Sequence, residues 1–424
     1  MTETAIEVFG KYVAVLKTPG ALRFSVAGFM GRAQMSMIGL GAVLLLQSER
    51  GSYAIAGAVS AIYALSMAVI SPQASRLIDI FGQRIILRIQ LALHVPLMAV
   101  LIALAMTSVP VWVLYLLAFF SGGVQPNIGA LVRARWAVKL TGRGSLRTAF
   151  AWESMLDEVI FVVGPPLATF LVIAVFPSAA MIVATVVLAV GVWWFASLRD
   201  TEPKPVGRNP NQRRQRPAIA LPGVAAVALC YVFVGGIFGS FEVTTVAFAD
   251  QHGHRGIAGL LLAMNSLGSL TGGLIFGALT VRASLLKQFG LMLGLLAVVV
   301  VPLPLLTSIP LLAIGALVAG VAVAPVLISG MALIERIVPA ARLTESMSWP
   351  SAGLAVGLAF SSPIAGVIVD GNPASTAYWV TVACATGAAL TGLTQIGPLR
   401  RANRAAAARI AAGRQVAPDA EAAA

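Results

Sequence analysis

Five ionisable residues interrupt long apolar stretches of this 424-residue chain: Arg32, Glu153, Asp157, Glu158 and Glu242. A charge inside an apolar segment is costly and requires a partner, so each is a candidate for ion or proton chemistry. Arg32 cannot readily give up its proton, and so needs a carboxylate or an anionic ligand opposite it. Glu153 and Asp157 are four residues apart and share a helical face. Glu158 is turned from Asp157 by about 100°. Glu242 has no Arg or Lys near it in sequence, which fits a proton carrier or cation contact, and equally an interfacial carboxylate that reaches water. Other chemistries are poorly supplied. Cys230 and Cys384 lie in apolar runs and read as small buried hydrophobes, with no disulfide framework. His94, His252 and His254 have no ligand spacing with carboxylates, so neither a metal nor a cofactor is assigned. No nucleophile motif, nucleotide loop or His/Asp cluster argues for an enzyme.

The segments that must position these residues are membrane spans. Hydrophobic residues make up 58% of the chain and charged ones 11%, against about 25% charged in soluble domains. One soluble core could not hide that much apolar surface. A span needs about 20 apolar residues, and such runs are predicted at 22–46, 53–75, 85–106, 110–132, 147–174, 177–198, 219–249, 256–280, 286–306, 309–333, 345–370 and 375–397. The chain is thus expected to be all-α, with twelve transmembrane helices.

The basic residues give the orientation. With the N-terminus counted as cytoplasmic, 26 of the 29 Lys and Arg fall on the inner side, leaving Arg50 and Arg255 outside and Arg32 within a span. This is the positive-inside pattern. The net charge of +13 is therefore no nucleic-acid face, and both termini are expected in the cytoplasm. The first 21 residues carry Glu3, Glu7, Lys11 and Lys17 without a separate apolar core, so the first span is expected to act as an uncleaved anchor. Residues 199–218 are polar, with Pro203, Pro205, Pro210 and Pro217, and divide the chain into bundles 1–198 and 219–397. This linker can lie on anionic headgroups, and a cytoplasmic Arg/Ala-rich tail occupies 398–424. Richness in Arg and Ala fits a GC-rich bacterial genome and an inner-membrane location.

The halves repeat weakly. Ile55-Ala56-Gly57 matches Ile257-Ala258-Gly259, Pro126 matches Pro325, Trp152 matches Trp349 and Pro165 matches Pro363, at offsets of 202, 199, 197 and 198. Matches in chain order at nearly one offset point to two pseudo-symmetric six-helix bundles with a path between them.

The loop after the second span reads Ser75-Arg76-Leu77-Ile78-Asp79-Ile80-Phe81-Gly82-Gln83-Arg84. It resembles the Gly-x-x-x-Asp-x-x-Gly-x-Arg loop of the major facilitator superfamily, with Ser75 in place of the first Gly. A faded copy, Gly273 to Gly277 followed by Arg282, lies in the second half. The resemblance implies a cytoplasmic latch of Asp79, Gly82, Arg76 and Arg84; a plain positive-inside loop is the alternative. It also implies that the first and fifth spans are close. Since Glu158, counted from Arg147, is about as deep as Arg32, the resemblance implies an Arg32–Glu158 pair with Asp157 as second partner. That pair would serve coupling or only fix helix register. Phe161-Val162-Val163-Gly164-Pro165-Pro166 resembles the fifth-span Gly-Pro signature of the drug/proton antiporter branch, with a hinge at Gly164, Pro165 and Pro166. The flanking glycines are absent. The fourth-span Arg of that branch is absent too, where the chain reads Phe119-Phe120-Ser121-Gly122-Gly123.

Gln34, Gln125, Asn127 and Asn265 are cavity candidates, or else hydrogen bonds between helices. Trp152, Trp349, Trp193 and Trp194 read as interfacial anchors. The function expected is proton-coupled export of a small amphiphilic molecule by a monomer in the lipid bilayer, rocking two halves about a central site. Transport of a specific metabolite, such as a sugar or an organic anion bound at Arg32, is a second reading. A transporter-like receptor or lipid-handling protein without solute turnover is a third.

Overall fold

The computed structural model describes residues 10, 12–140, 143–205, 218–221, 223–278, 283–338 and 343–405; the side chains of 72, 79, 143–147, 151, 277, 278, 343–345 and 348 are outside that description. Much of the linker and tail, Arg282 of the faded loop copy and the side chain of Asp79 therefore lie outside the described residues.

Twelve helical segments are long and apolar enough to cross a membrane. The first bundle holds α1a (Ala21–Arg32), α1b (Gln34–Arg50), α2 (Tyr53–Phe81), α3 (Gln83–Ala105), α4a (Val111–Gly123), α4b (Ile128–Lys139), α5 (Arg143–Ala174) and α6 (Ala179–Ser197). The second holds α7 (Val224–Gln251), α8 (Ala258–Ala278), α9 (Leu285–Val300), α10a (Ile309–Val321), α10b (Val323–Ile337), α11 (Leu343–Gly371) and α12 (Ala374–Thr394). Large apolar side chains point outward all along the helices, Trp112, Phe170, Leu291, Val298, Phe360 and Leu393 among them. Such an exterior is suited to lipid rather than water.

Several span limits differ from expectation, the second and tenth spans running on to Phe81 and Ile337, and two differences have a clear local cause. The fourth span does not stop at 132: the helix breaks between Gly123 and Ile128, where Pro126 can donate no hydrogen bond, and resumes as α4b to Lys139. Arg133, Arg135 and Lys139 are thus helical, and Arg135 and Trp136 are fully buried. A hydropathy pattern ends at cations because it cannot see that they are paired. The seventh span starts at Val224 rather than 219, since Ala218–Ala220 forms a 3₁₀ turn and Gly223 takes a φ of 93°.

Packing repeats between the bundles. In the first, α1 packs on α5 and α6, α2 on α4a, and α3 on α6. In the second, α7 packs on α11 and α12, α8 on α10a, and α9 on α12. The bundles meet where α2 crosses α11 and where α5 crosses α8. At the first crossing a Cβ on Gly57 would lie 2.7 Å from the Ser362 carbonyl oxygen and 3.2 Å from Pro363 N. At the second, a Cβ on Gly259 would overlap the Pro165 carbonyl and lie 2.5 Å from Thr169 Oγ1. Gly57 and Gly259 are one pair of the sequence repeat, and Pro165 and Pro363 are another. The repeated motifs are therefore matched contacts between the halves, backbone to backbone, where only glycine leaves room.

Candidate functional site

The deepest charges form one network on the inner faces of α1, α4 and α5. Arg32 ends α1a with a relative exposure of 1%, and Glu153 faces it with 0%. Arg32 Nη2 donates to Glu153 Oε2, Nη1 donates to Asp157 Oδ1 at 2.7 Å, and Nε donates to its own helix at Gly28 O, 3.1 Å away. Glu153 Oε1 also accepts from Ser25 Oγ (2.7 Å) and Trp136 Nε1 (2.8 Å). Ser25 Oγ in turn accepts from Trp152 Nε1 at 3.0 Å, so Trp152 serves this network and not the membrane surface. Asp157 bridges outward: its Oδ2 accepts from Arg133 Nη2 at 3.0 Å. With an exposure of 28% it is the acidic member nearest water. A buried guanidinium with every nitrogen bonded is well compensated, and its geometry fixes how α1, α4b and α5 sit together.

The expected Arg32–Glu158 pair does not form. Arg32 takes Glu153 and Asp157, the two carboxylates that share a face of α5, while Glu158 lies about 100° round the helix. Glu158 is half-buried and has no ion pair among the described residues. Glu242 of α7 is also half-buried and unpaired among them; it approaches α1b, where a Cβ on Gly39 would lie 3.0 Å from its Oε1. Gly164 packs against Ser36 of α1b, and Pro165 and Pro166 lie within the continuous α5.

The cavity candidates disperse. Gln34 Nε2 donates to Tyr63 Oη at 2.7 Å inside the first bundle. Gln125 is buried at the α4 break, where its backbone oxygen accepts from Gln90 Nε2 at 3.5 Å. Asn127 is exposed and donates to Ser71 Oγ at 3.1 Å. Asn265 donates to Ala316 O at 3.1 Å and lines a small crevice with Phe241 and Thr381 within the second bundle.

The expected latch residues meet the start of the linker. Gly82 joins α2 to α3 at φ 90° and ψ 157°, a conformation essentially reserved for glycine. Glu202 Oε1 accepts from Arg84 N at 2.8 Å, supplying negative charge to the N-terminus of α3. Arg76 is exposed. Buried Arg135 ties the same corner by donating to Gln83 Oε1 (2.9 Å), Leu198 O (3.1 Å) and Thr201 Oγ1 (2.8 Å), with its guanidinium 3.7 Å from the centre of the Phe195 ring.

The bundles are joined by hydrogen bonds at the end opposite this linker. Asp370, at the end of α11, accepts from Ser52 Oγ (2.8 Å), Tyr53 N (2.9 Å) and Ala54 N (3.0 Å), capping α2 from the other bundle. Tyr53 Oη donates to Asp250 Oδ2 at 2.7 Å, and Arg255 Nη2 donates to Leu44 O at 2.7 Å. Between described residues of the two bundles, every hydrogen bond is at this end. Arg133, Trp136, Ser25, Tyr63, Asp250 and Asp370 were not singled out from sequence; only the spacing of Arg133 from an α4 restart could have drawn attention to it.

A model of the Major Facilitator Superfamily matches residues 24–256 and 224–418. No curated protein matches the chain. Among solved structures, a bacterial homologue of the iron transporter ferroportin in its inward-facing state aligns at a TM-score of 0.64 and 14% identity, over 88% of this chain and 99% of that one. The nucleoside transporter NupG aligns at 0.68 and 12%, over 89% and 99%. The POT family transporter PepTSo aligns at 0.58 and 13%, over 93% and 98%.

Proposed function

The chain belongs to the major facilitator superfamily and is a multi-pass secondary transporter; from that premise we propose that it exports small amphiphilic molecules in exchange for protons. The observation that carries this reading is the fully buried Arg32 held by Glu153 and by the more exposed Asp157, which Arg133 shares. Protonating Asp157 removes the charge that binds both arginines. Arg32 keeps Glu153, while Arg133 is released, so α4b loosens from α5 without the network collapsing. Differential stability of the two arrangements is what lets a coupling ion bias one facing state. Glu158 and Glu242 are carboxylates without a described counter-charge, which favours a substrate carrying positive charge. An organic anion at Arg32 is disfavoured, since each guanidinium nitrogen already has a protein acceptor.

The basic-residue pattern favours a cytoplasmic linker and termini, and the Arg/Ala-rich composition favours a bacterial inner membrane. The Asp370 and Asp250 contacts then lie on the outer side, where they close the bundles against each other. The working unit is a monomer, with the substrate path between the bundles.

Accumulation of fluorescent cationic amphiphiles in cells tests this. Cells expressing the wild type should accumulate less than empty cells, and a protonophore, Asp157→Asn or Glu158→Gln should each abolish the difference at equal expression. Export that persists in both variants would remove these carboxylates from the mechanism. Wild-type cells that behave as empty cells would favour a specific metabolite instead.

A further inference from the structure

His94 lies at the centre of a polar site in the first bundle that the charge network does not use. It is fully buried, as are Gln34 and Ser121. Its Nδ1 is 2.9 Å from the carbonyl oxygen of Ser121. A carbonyl only accepts, so Nδ1 carries a proton in every state. Its Nε2 is 3.3 Å from Gln34 Nε2, whose other hydrogen goes to Tyr63 Oη at 2.7 Å. That arrangement suits neutral His94, with a bare Nε2 that accepts. Gln34 Oε1 meanwhile is buried without a hydrogen-bond partner.

We propose that His94, Gln34 and Tyr63 form a proton-binding site whose state is read by rotation of the Gln34 amide. When a proton from water binds Nε2, that nitrogen becomes a donor and can no longer face an amide NH₂. A half-turn of the amide brings Oε1 to the same place. Oε1 then accepts from His94 Nε2 and from the Tyr63 hydroxyl, which turns from acceptor to donor. The same three side chains stay bonded to one another in both states, and the switch needs no backbone movement. Tyr63 belongs to α2, the helix that crosses α11, so the change is delivered to a helix of the bundle interface.

The surroundings are polar and uncharged. From α1 the facing group is Gln34, from α2 Tyr63, and from α4a the Ser121 carbonyl; on α3 itself Gln90 is one turn away. No carboxylate or cation among the described residues is bonded to this group. The charge nearest in sequence, Arg32, is occupied by Glu153 and Asp157. Gln90 Oε1, Gln125 Oε1 and Ser121 Oγ are further buried acceptors without a hydrogen-bond partner. Oxygens of this kind favour water and give a proton a polar route to Nε2.

The site adds a proton to the coupling proposed above, but its titration is independent of what is carried. The test uses the full-length chain in lipid nanodiscs with His252→Asn and His254→Asn, which leaves His94 as the sole histidine of three. Nitrogen-15 NMR of the imidazole and of the Gln34 side chain is followed from pH 8 to pH 4. Nδ1 should stay protonated throughout, Nε2 should gain a proton, and the Gln34 amide signal should move with the same midpoint. Gln34→Glu should raise the midpoint by about 1 unit or more, because a carboxylate accepts from both partners. Gln34→Met should lower it. The proposal is overturned if Nε2 stays bare to pH 4, or if Gln34 does not respond in the wild-type sequence, a measurement that needs no Gln34 variant to fold. Titration without amphiphile export would keep this inference and refute only the export reading.

Discussion

Replacing Glu153 with Gln removes one charge and keeps the shape. In the native network Oε1 takes Ser25 Oγ at 2.7 Å and Trp136 Nε1 at 2.8 Å, while Oε2 takes Arg32. A glutamine that keeps its oxygen toward Ser25 and Trp136 must turn its NH₂ toward a guanidinium. The flipped orientation fails toward the other two donors. Breaking a buried ion pair by removing one partner costs about 3–5 kcal/mol. Arg32 keeps Asp157 and Gly28 O, so the low end applies: about 3 kcal/mol, or roughly 150-fold in the folding equilibrium. Asp157→Asn, at a site 28% exposed, is expected to cost only about 1 kcal/mol after solvent screening. The assay is unfolding in mixed micelles by a denaturing detergent, followed by tryptophan fluorescence. Arg32→Met combined with Glu153→Gln supplies the control. Without the guanidinium the glutamine oxygen can serve Ser25 and Trp136, and the double variant should be about 2 kcal/mol more stable than Glu153→Gln alone. The reasoning is refuted if Glu153→Gln lies within 1 kcal/mol of wild type, or if the double variant is no better than the single one.

Three further outcomes follow from the bundle contacts. Gly57→Ala and Gly259→Ala each place a methyl group against backbone of the other bundle; each should weaken the sealed state by about 1–3 kcal/mol and lengthen the distance between spin labels at Glu49 and Asn372. Asp370→Asn removes the anion from the α2 N-terminus at a cost of about 1 kcal/mol, a roughly fivefold shift toward the open outer end by the same spin-label measurement. Gly82→Ala forces a side chain into φ 90°, ψ 157° and toward Glu202; a loss of about 1–3 kcal/mol and faster proteolysis of the linker are expected.

The fold was legible because lipid imposes a coarse rule. A span must be long and apolar, and the Lys and Arg between spans keep to one side, so the twelve helices could be counted from hydropathy and charge alone. The fine structure of α4 was not, because a helix that restarts after Pro126 with buried Arg135 looks like a basic loop until its partners, Gln83 and Thr201, are known. At the charge site the i,i+4 relation of Glu153 and Asp157 was sound guidance. Depth counted from a span end was not, since a residue of error along a helix is also a turn of about 100° around it, and Glu158 faces elsewhere. His94 and Tyr63 gave no sequence signal, because a site made of single residues from three helices has no spacing to read. Asp370 likewise acts on backbone N–H groups more than 300 positions away.

The two glycine crossings also have a kinematic meaning. A rigid body held at two points retains one freedom, rotation about the line that joins them. Gly57 on Ser362 and Gly259 on Pro165 are such points, placed by the repeat on opposite sides of the interface. Sliding either helix along its partner by one turn would replace glycine with a bulkier residue, Ala61 for Gly57 or Ala263 for Gly259, and jam. A rocking of the bundles that keeps both glycine contacts must therefore turn about the line drawn through these four backbone positions.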